Sequence, residues 1–103
     1  MEFVETPLFT KQITALLSDD EYRGLQMLLV ENPERGDLVK GGGGIRKIRY
    51  ARQGTGKSGG LRAIYYWISR DDTVYMLVAY PKSRKDGLTR EETAILAAKV
   101  KEL

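Results

Sequence analysis

The sequence predicts one α+β domain in which an antiparallel sheet packs on two N-terminal helices and is followed by a C-terminal helix. Apolar residues recur at helical spacing in the first third of the chain, and the spacing changes to a period of two from residue 45 onwards. Capping sequences mark the helix starts. The expected order is therefore β-α-α-β-β-β-α, and the length of 103 residues predicts a single domain over residues 1–103.

The N-terminal third is expected to form a short strand and two helices. Residues 3–6, FVET, have strand character, and Thr6 is placed to cap a helix that begins at Pro7. The sequence SDDE at 18–21 is a capping box for a second helix, which ends before Pro33. These signals predict two antiparallel helices joined by a tight corner.

The remainder of the chain predicts three strands and one helix. A glycine-rich loop is expected at 34–44, followed by strands at 45–51, 60–68 and 73–80. The sequence TREE at 89–92 is a second capping box and opens the final helix. The short connections allow consecutive strands to pair antiparallel.

The composition excludes several kinds of chemistry. The chain contains neither cysteine nor histidine, which removes disulfides, Cys-ligated zinc, thiol catalysis and a histidine base. Any chemistry must use Lys, Arg, Tyr, Asp, Glu, Ser or Thr, and we expect no metal and no cofactor. The acidic N-terminus lacks a secretory pattern, and the longest apolar runs are too short to span a membrane as helices. A cytoplasmic protein with no membrane partner is expected.

The charge is distributed unevenly along the chain. Residues 1–39 contain three basic and eight acidic residues, whereas residues 40–103 contain fourteen basic and six acidic ones. Between residues 40 and 62 there are seven basic residues and no acidic one. A one-signed segment of this kind is typical either of a solvated basic surface or of a site for a polyanion such as RNA.

Residues 52–62, RQGTGKSGGLR, resemble a nucleotide-binding loop only superficially. A P-loop requires glycine five positions before its Gly-Lys pair, and that position is Ala51 here. The segment also leads into a strand, whereas a P-loop leads into a helix whose N-terminus faces the phosphates. A hairpin loop with Lys57 at its tip is the better interpretation.

Three cations are expected to lie together on the sheet. Lys47 and Arg49 are two residues apart on one strand and so project from the same face. Arg62 enters the next strand, and pairing around the intervening loop can place it beside them. Lys82 is either a further member of this cluster or a loop lysine. The alternatives for the cluster are an open, solvated sheet face and a site for RNA or phosphate.

Together these segments resemble a known family. The sequences NPERGDLVKGGGGIRKIRYA, GTGKSGGLRAIYYW and AYPKSRKDGLT are similar to the HigB branch of the RelE/ParE toxin superfamily of toxin–antitoxin modules, and the resemblance covers nearly the whole chain. It implies a RelE-like fold. It also implies a ribosome-dependent mRNA endonuclease that inhibits translation, in which the ribose 2′-OH attacks the adjacent phosphate without a metal.

The resemblance also implies roles for individual residues. Lys47 matches the position of the base, Arg49 would position RNA, and Arg62 would stabilise the phosphate charge through its planar fork. Lys82 lies near the place of a further catalytic cation. The residues expected to bind RNA in addition are Arg46, Arg52, Lys57, Tyr80, Arg84 and Lys85.

The chain departs from the RelE pattern at two points. RelE has an arginine where this chain has Ser83, and it has a tyrosine in its C-terminal segment, whereas no tyrosine follows Tyr80 here. Either Tyr80 or Lys82 is then left to take over proton transfer.

Partners follow from the same resemblance. They are the ribosomal A site with its mRNA and a cognate helix-turn-helix antitoxin, through which the complex contacts operator DNA indirectly. Two alternatives remain open: a ParE-like toxin that binds DNA gyrase without cutting RNA, and an inactive RNA-binding relative.

Overall fold

The computed structural model describes residues 1–51, 60–85 and 87–103. This part of the chain has the α+β architecture that the sequence predicts. Its strands and helices are β1 (Glu2–Glu5), α1 (Pro7–Leu16), α2 (Asp19–Glu31), β2 (Asp37–Leu38), β3 (Arg46–Ala51), β4 (Gly60–Ile68), β5 (Thr73–Pro81) and α3 (Arg90–Val100).

The helix starts agree with their sequence signals. The Thr6 side chain accepts a hydrogen bond from the backbone N–H of Phe9, and Pro7 begins α1. Both capping boxes form, with Ser18 opening α2 and Thr89 opening α3. Local capping chemistry therefore sets the point at which each helix begins.

The strands form one sheet in the order β1-β5-β4-β3-β2. Strands β2 to β5 pair antiparallel with their neighbours, as expected, but β1 pairs parallel with β5. The sheet is therefore mixed. Pairing direction depends on which distant strand β1 meets, and a four-residue strand carries no signal for that choice.

The two-residue strand β2 lies inside the segment that the sequence predicts as a loop. It pairs with β3, opposite Arg46 and Lys47. The glycines that follow form the turn between the two strands. At Gly44 the backbone has φ 111°, and a Cβ there would lie 2.9 Å from the Tyr66 ring, so glycine is required. The glycine run thus shapes a hairpin.

Each face of the sheet has its own core. Helices α1 and α2 cover one face, where Phe9, Leu25 and Tyr65 are fully buried. Helix α3 covers the other face through Leu96 and Val100. The α3 face carries Lys47, Arg49 and Arg62.

Arg46 belongs to the opposite face. Its guanidinium donates to the backbone oxygens of Glu34 and Gly36 at 3.1 and 2.8 Å, and it pairs with the Glu34 carboxylate at 3.3 Å. These contacts tie β3 to the segment before β2.

None of the helices in the described ranges is long and apolar enough to cross a membrane.

Candidate functional site

A row of three facing side chains crosses the α3 face of the sheet. Arg49 on β3 lies directly opposite Arg62 on β4, and Arg62 lies directly opposite Tyr80 on β5. Directly opposed residues in antiparallel strands share a face, with Cβ atoms about 4.5–5.5 Å apart. The structure therefore brings Arg49 and Arg62 together as the sequence predicts and adds Tyr80 to them. We call Arg49, Arg62 and Tyr80 the cationic row.

A bulge in β5 places Tyr80 in this row. The pairing of β4 with β5 shifts between Ile64 and Tyr65, so that Leu77 and Val78 both face α3. Met76 and Ala79 on either side face the opposite core. A bulge changes which face each later residue occupies. Strict alternation from Met76 would have put Tyr80 on the opposite face.

Lys47 lies one step along β3 from the row. It shares a face with Arg49 at a distance of roughly 7 Å along the strand. On its other side it lies opposite Asp37 of β2. A cavity of about 260 Å³ opens beside Lys47, lined by Asp37, Leu38, Val39, Lys40, Gly87 and Leu88. A ligand bound at the row would thus have a concave surface next to it.

Lys47, Arg49 and Arg62 make no ion pair with any residue in the described part of the chain, although Asp37 lies opposite Lys47. The hydrogen bond of Arg62 goes to the Leu61 carbonyl at 3.3 Å. Opposed like charges repel across a sheet. Such an arrangement is suited to an anion that bridges the two guanidinium groups, since each presents a planar fork of donors.

Tyr80 is buried at the end of the row, with 7% of its surface exposed. Its hydroxyl has no hydrogen-bond partner among the described residues. Burial raises the pKa of this hydroxyl, the Arg62 charge acts in the opposite direction, and the Glu92 charge raises it further. Tyr80 therefore stays protonated at neutral pH, and its hydroxyl is covered in the free protein.

The segment after β5 carries three of the predicted site residues. Lys82 is exposed, and its backbone N–H donates to the Gly60 carbonyl at 3.0 Å, which extends the β4–β5 ladder by one bond. Arg84 is exposed as well. Lys85 is different, because its ammonium is held by both carboxylate oxygens of Glu92 at 2.5 and 2.6 Å. The structure thus leaves Lys82 and Arg84 accessible and gives Lys85 a partner inside the protein.

The three remaining predicted residues are Arg46, Arg52 and Lys57. Arg46 projects from the opposite face, where it bonds to the Glu34 carboxylate and to two backbone carbonyls. The structure therefore does not bring Arg46 together with Arg49 and Arg62. Arg52, Lys57 and the hairpin loop expected around them lie outside the described residues.

Two carboxylates contact or face lysines near the site, and the sequence does not reveal either arrangement. Asp37 lies in a two-residue strand, too short to show periodicity, so nothing marks it as a neighbour of Lys47. Glu92 is recognisable as a capping residue, but its contact with Lys85 depends on the path of the connecting segment. No group of three or more acidic residues in the described ranges could hold a metal ion.

The sequence and the fold of this chain are both similar to those of known proteins. A sequence profile described as "RelE toxin of RelE / RelB toxin-antitoxin system" matches residues 25–103. The fold is similar to that of the E. coli toxin RelE, solved in the free state as a mutant with two arginine-to-alanine substitutions. The TM-score is 0.59 and the identity is 17%, over 96% of this chain and 95% of that one. The profile match includes β3, β4, β5 and α3, which carry the site.

Proposed function

The chain belongs to the RelE toxin family, and from this premise we propose that it is a ribosome-dependent mRNA endonuclease. It cuts messages in the ribosomal A site and so inhibits translation. The cationic row is the observation that carries the proposal. Two arginines face each other without a counter-ion among the described residues, next to a lysine and a cavity, on a chain that has no histidine or cysteine.

The reaction is a metal-free transesterification. The 2′-oxygen of the ribose loses its proton and attacks the adjacent phosphorus, the bond to the 5′-oxygen breaks, and that oxygen takes up a proton. The products are a 2′,3′-cyclic phosphate and a 5′-hydroxyl end. The protein must supply a base, cations for the charge that builds on the phosphate, and a proton donor.

The positions of the side chains suit these tasks. Lys47 is the base, Arg62 stabilises the charged phosphate, and Arg49 holds the RNA backbone beside it. Arg62 and Arg49 together can bind two or more phosphate oxygens. Because negative charge builds up on these oxygens during the reaction, the two arginines stabilise the transition state more than the ground state.

Lys82 is the proton donor of this proposal. The sequence offers Tyr80 and Lys82 as candidates for the proton donor, and the two side chains differ in their exposure to solvent. The Tyr80 hydroxyl is covered, whereas Lys82 is exposed just beyond the end of the row. Tyr80 lies opposite Arg62 on the neighbouring strand, and its hydroxyl reaches RNA only after its neighbours move. Arg84 adds a further phosphate contact.

The partners of the chain follow from the family. RelE-family membership implies a cognate antitoxin. We propose that this antitoxin carries a helix-turn-helix part, that the complex reaches operator DNA only through it, and that both act in the cytoplasm. Assignment to the HigB branch stays a prediction from the sequence.

The proposal is tested by induced expression followed by primer extension on a reporter message. We expect new, codon-phased 5′ ends within translated regions, and their loss in Arg62→Ala. Arg23→Ala is the control, since Arg23 is an exposed arginine on α2 that pairs with Asp20 at 3.7 Å. Growth arrest with intact messages and gyrase-linked DNA breaks would instead establish a ParE-like toxin, and absence of toxicity would indicate an inactive relative.

A further inference from the structure

Lys85 links three parts of the molecule. It follows β5 in the chain, its ammonium is bonded to both oxygens of Glu92 on α3, and it lies 5.4 Å from the centroid of the Tyr80 ring. An ammonium at this distance is attracted to the face of an aromatic ring. The Tyr80 ring is thereby connected, through one lysine, to the first turn of α3.

Glu92 has a second fixed contact. Its carboxylate accepts the backbone N–H of Thr89 at 2.8 Å and so completes the capping box of α3. The hydrogen bond with Lys85, followed by that with Thr89, lowers the pKa of this carboxyl. Glu92 is therefore charged at neutral pH and held in position from the helix side.

The segment Lys82–Lys85 is held in place at both of its ends. At its start, the Lys82 N–H bonds to the Gly60 carbonyl, and within it the Arg84 N–H bonds to the Pro81 carbonyl at 3.1 Å. At its end stands the pair of Lys85 with Glu92. Lys82, the candidate proton donor, thus lies on a short segment between the sheet and α3.

We propose that Glu92 is a positioning residue of the ribonuclease site, which through Lys85 holds the Tyr80 ring and the Lys82 segment in place beside Arg62. The inference rests on the proposed function. It also changes the role of Lys85, which acts by organising the site and does not serve as a free phosphate-binding cation.

A role of Glu92 in stabilising the fold alone can be distinguished experimentally from a role in positioning the site. Side chains of Lys85 and Glu92 are 32% and 42% exposed, and partly exposed ion pairs contribute little to folding. Glutamine at this capping position can replace glutamate in a capping box. Glu92→Gln therefore keeps the start of α3 and removes the charge that holds Lys85. Glu91→Gln is the matched control, because Glu91 lies in the same helical turn and makes no ion pair within the described ranges.

The first readout is cleavage of message on programmed ribosomes by the purified full chain. We expect Glu92→Gln and Lys85→Met to slow single-turnover cleavage by up to about 100-fold, because small displacements of catalytic groups are costly. Ribosome affinity should change less than about twofold. Lys85→Arg, which can still pair with Glu92, should restore most of the rate, and Glu91→Gln should cleave like the parent.

The second readout is the titration of Tyr80, followed by NMR of tyrosine labelled at Cζ. The charged groups facing Tyr80 are Arg62 on β4, Glu92 on α3 and Lys85 after β5. Glu92→Gln should lower the Tyr80 pKa, because the Glu92 charge raises it, whereas Glu91→Gln should leave it unchanged.

The outcomes separate this inference from the proposed function. Parental cleavage by Glu92→Gln would overturn the positioning role while leaving the ribonuclease intact. Equal loss of rate in Glu91→Gln would also overturn it. A parent protein that cleaves nothing would remove the proposed function and this inference with it.

Discussion

Arg49 and Arg62 lie directly opposite each other in the β3–β4 pair, on the same face and with no ion pair to any described residue. Residues 52–59, which connect the two strands, contain no acidic residue that could balance them. This pair therefore places two like charges side by side, and binding of an anion would relieve their repulsion. Stability, RNA binding and cleavage should all respond to this relationship and to the residues around it.

Removal of one arginine should stabilise the fold. Like charges at opposed positions are destabilising, and favourable cross-strand pairs contribute roughly 0.2–1 kcal/mol, so on this scale Arg49→Gln should raise the free energy of unfolding by about a few tenths of a kcal/mol. Urea unfolding at low salt measures this change. Arg23→Gln should not raise stability, because Arg23 has an acidic partner in Asp20. Lower stability in Arg49→Gln would show that the repulsion is already compensated.

The same pair should control the salt dependence of RNA binding. Each cation that binds an RNA phosphate adds about 0.7 to the steepness of log K against log salt for single strands. Fluorescence anisotropy with a single-stranded oligoribonucleotide should therefore give a shallower slope for Arg49→Gln, by about that amount. Arg46→Gln should leave the slope nearly unchanged, because Arg46 is engaged with Glu34 on the other face. Equal slopes in all three proteins would argue against phosphate binding at the row.

Two tyrosines on β4 and β5 should respond differently to removal of the hydroxyl. Tyr65 donates to the Pro33 carbonyl at 2.7 Å and accepts from the Gly36 N–H at 2.9 Å, so Tyr65→Phe should cost about 1–3 kcal/mol. Tyr80→Phe should stay within about 0.5 kcal/mol of the parent, because the Tyr80 hydroxyl has no partner among the described residues. Thermal and urea unfolding measure both. A large destabilisation in Tyr80→Phe would reveal a partner for that hydroxyl.

Tyr80→Phe also separates the two candidate proton donors. Because its hydroxyl is covered, this variant should cleave within a few-fold of the parent, whereas Lys82→Met should lose about 100-fold or more in rate. Single-turnover cleavage on programmed ribosomes compares the two. The reverse order of effects would transfer the donor role from Lys82 to Tyr80.

Stability should depend on pH through Glu92. Its pKa is lower in the folded state than the ordinary 4.5, so the pair with Lys85 stabilises the fold above that value. The contribution is lost as the pH falls through the folded pKa. Urea unfolding of the parent and Glu92→Gln should therefore differ slightly at pH 7, and the difference should shrink as the pH falls below 4.5. A difference that persists at low pH would show that capping, and not charge, is responsible.

Much of this site follows from the sequence by simple geometry. Residues two apart on a strand share a face, which places Lys47 with Arg49, and a hairpin brings Arg62 beside them. Helix starts follow from capping residues such as Thr6 and Ser18. These signals are local, so they can be read without knowledge of the fold.

The parts that could not be predicted depend on tertiary context. The bulge at Leu77 and Val78 reverses the face of Tyr80, and no residue type in that apolar strand announces it. The parallel pairing of β1 and the short strand β2 depend on which distant strands they meet. The contact between Lys85 and Glu92 requires the path from β5 to α3, which spacing alone does not give.

The ribonuclease assignment is tested most directly by mapping message ends on translating ribosomes treated with the purified chain. We predict codon-phased cuts with 5′-hydroxyl ends, and a rate that falls about 100- to 1,000-fold in Arg62→Ala, whose fold is checked by circular dichroism. Intact messages with the parent protein, or undiminished cleavage by a folded Arg62→Ala, would contradict it.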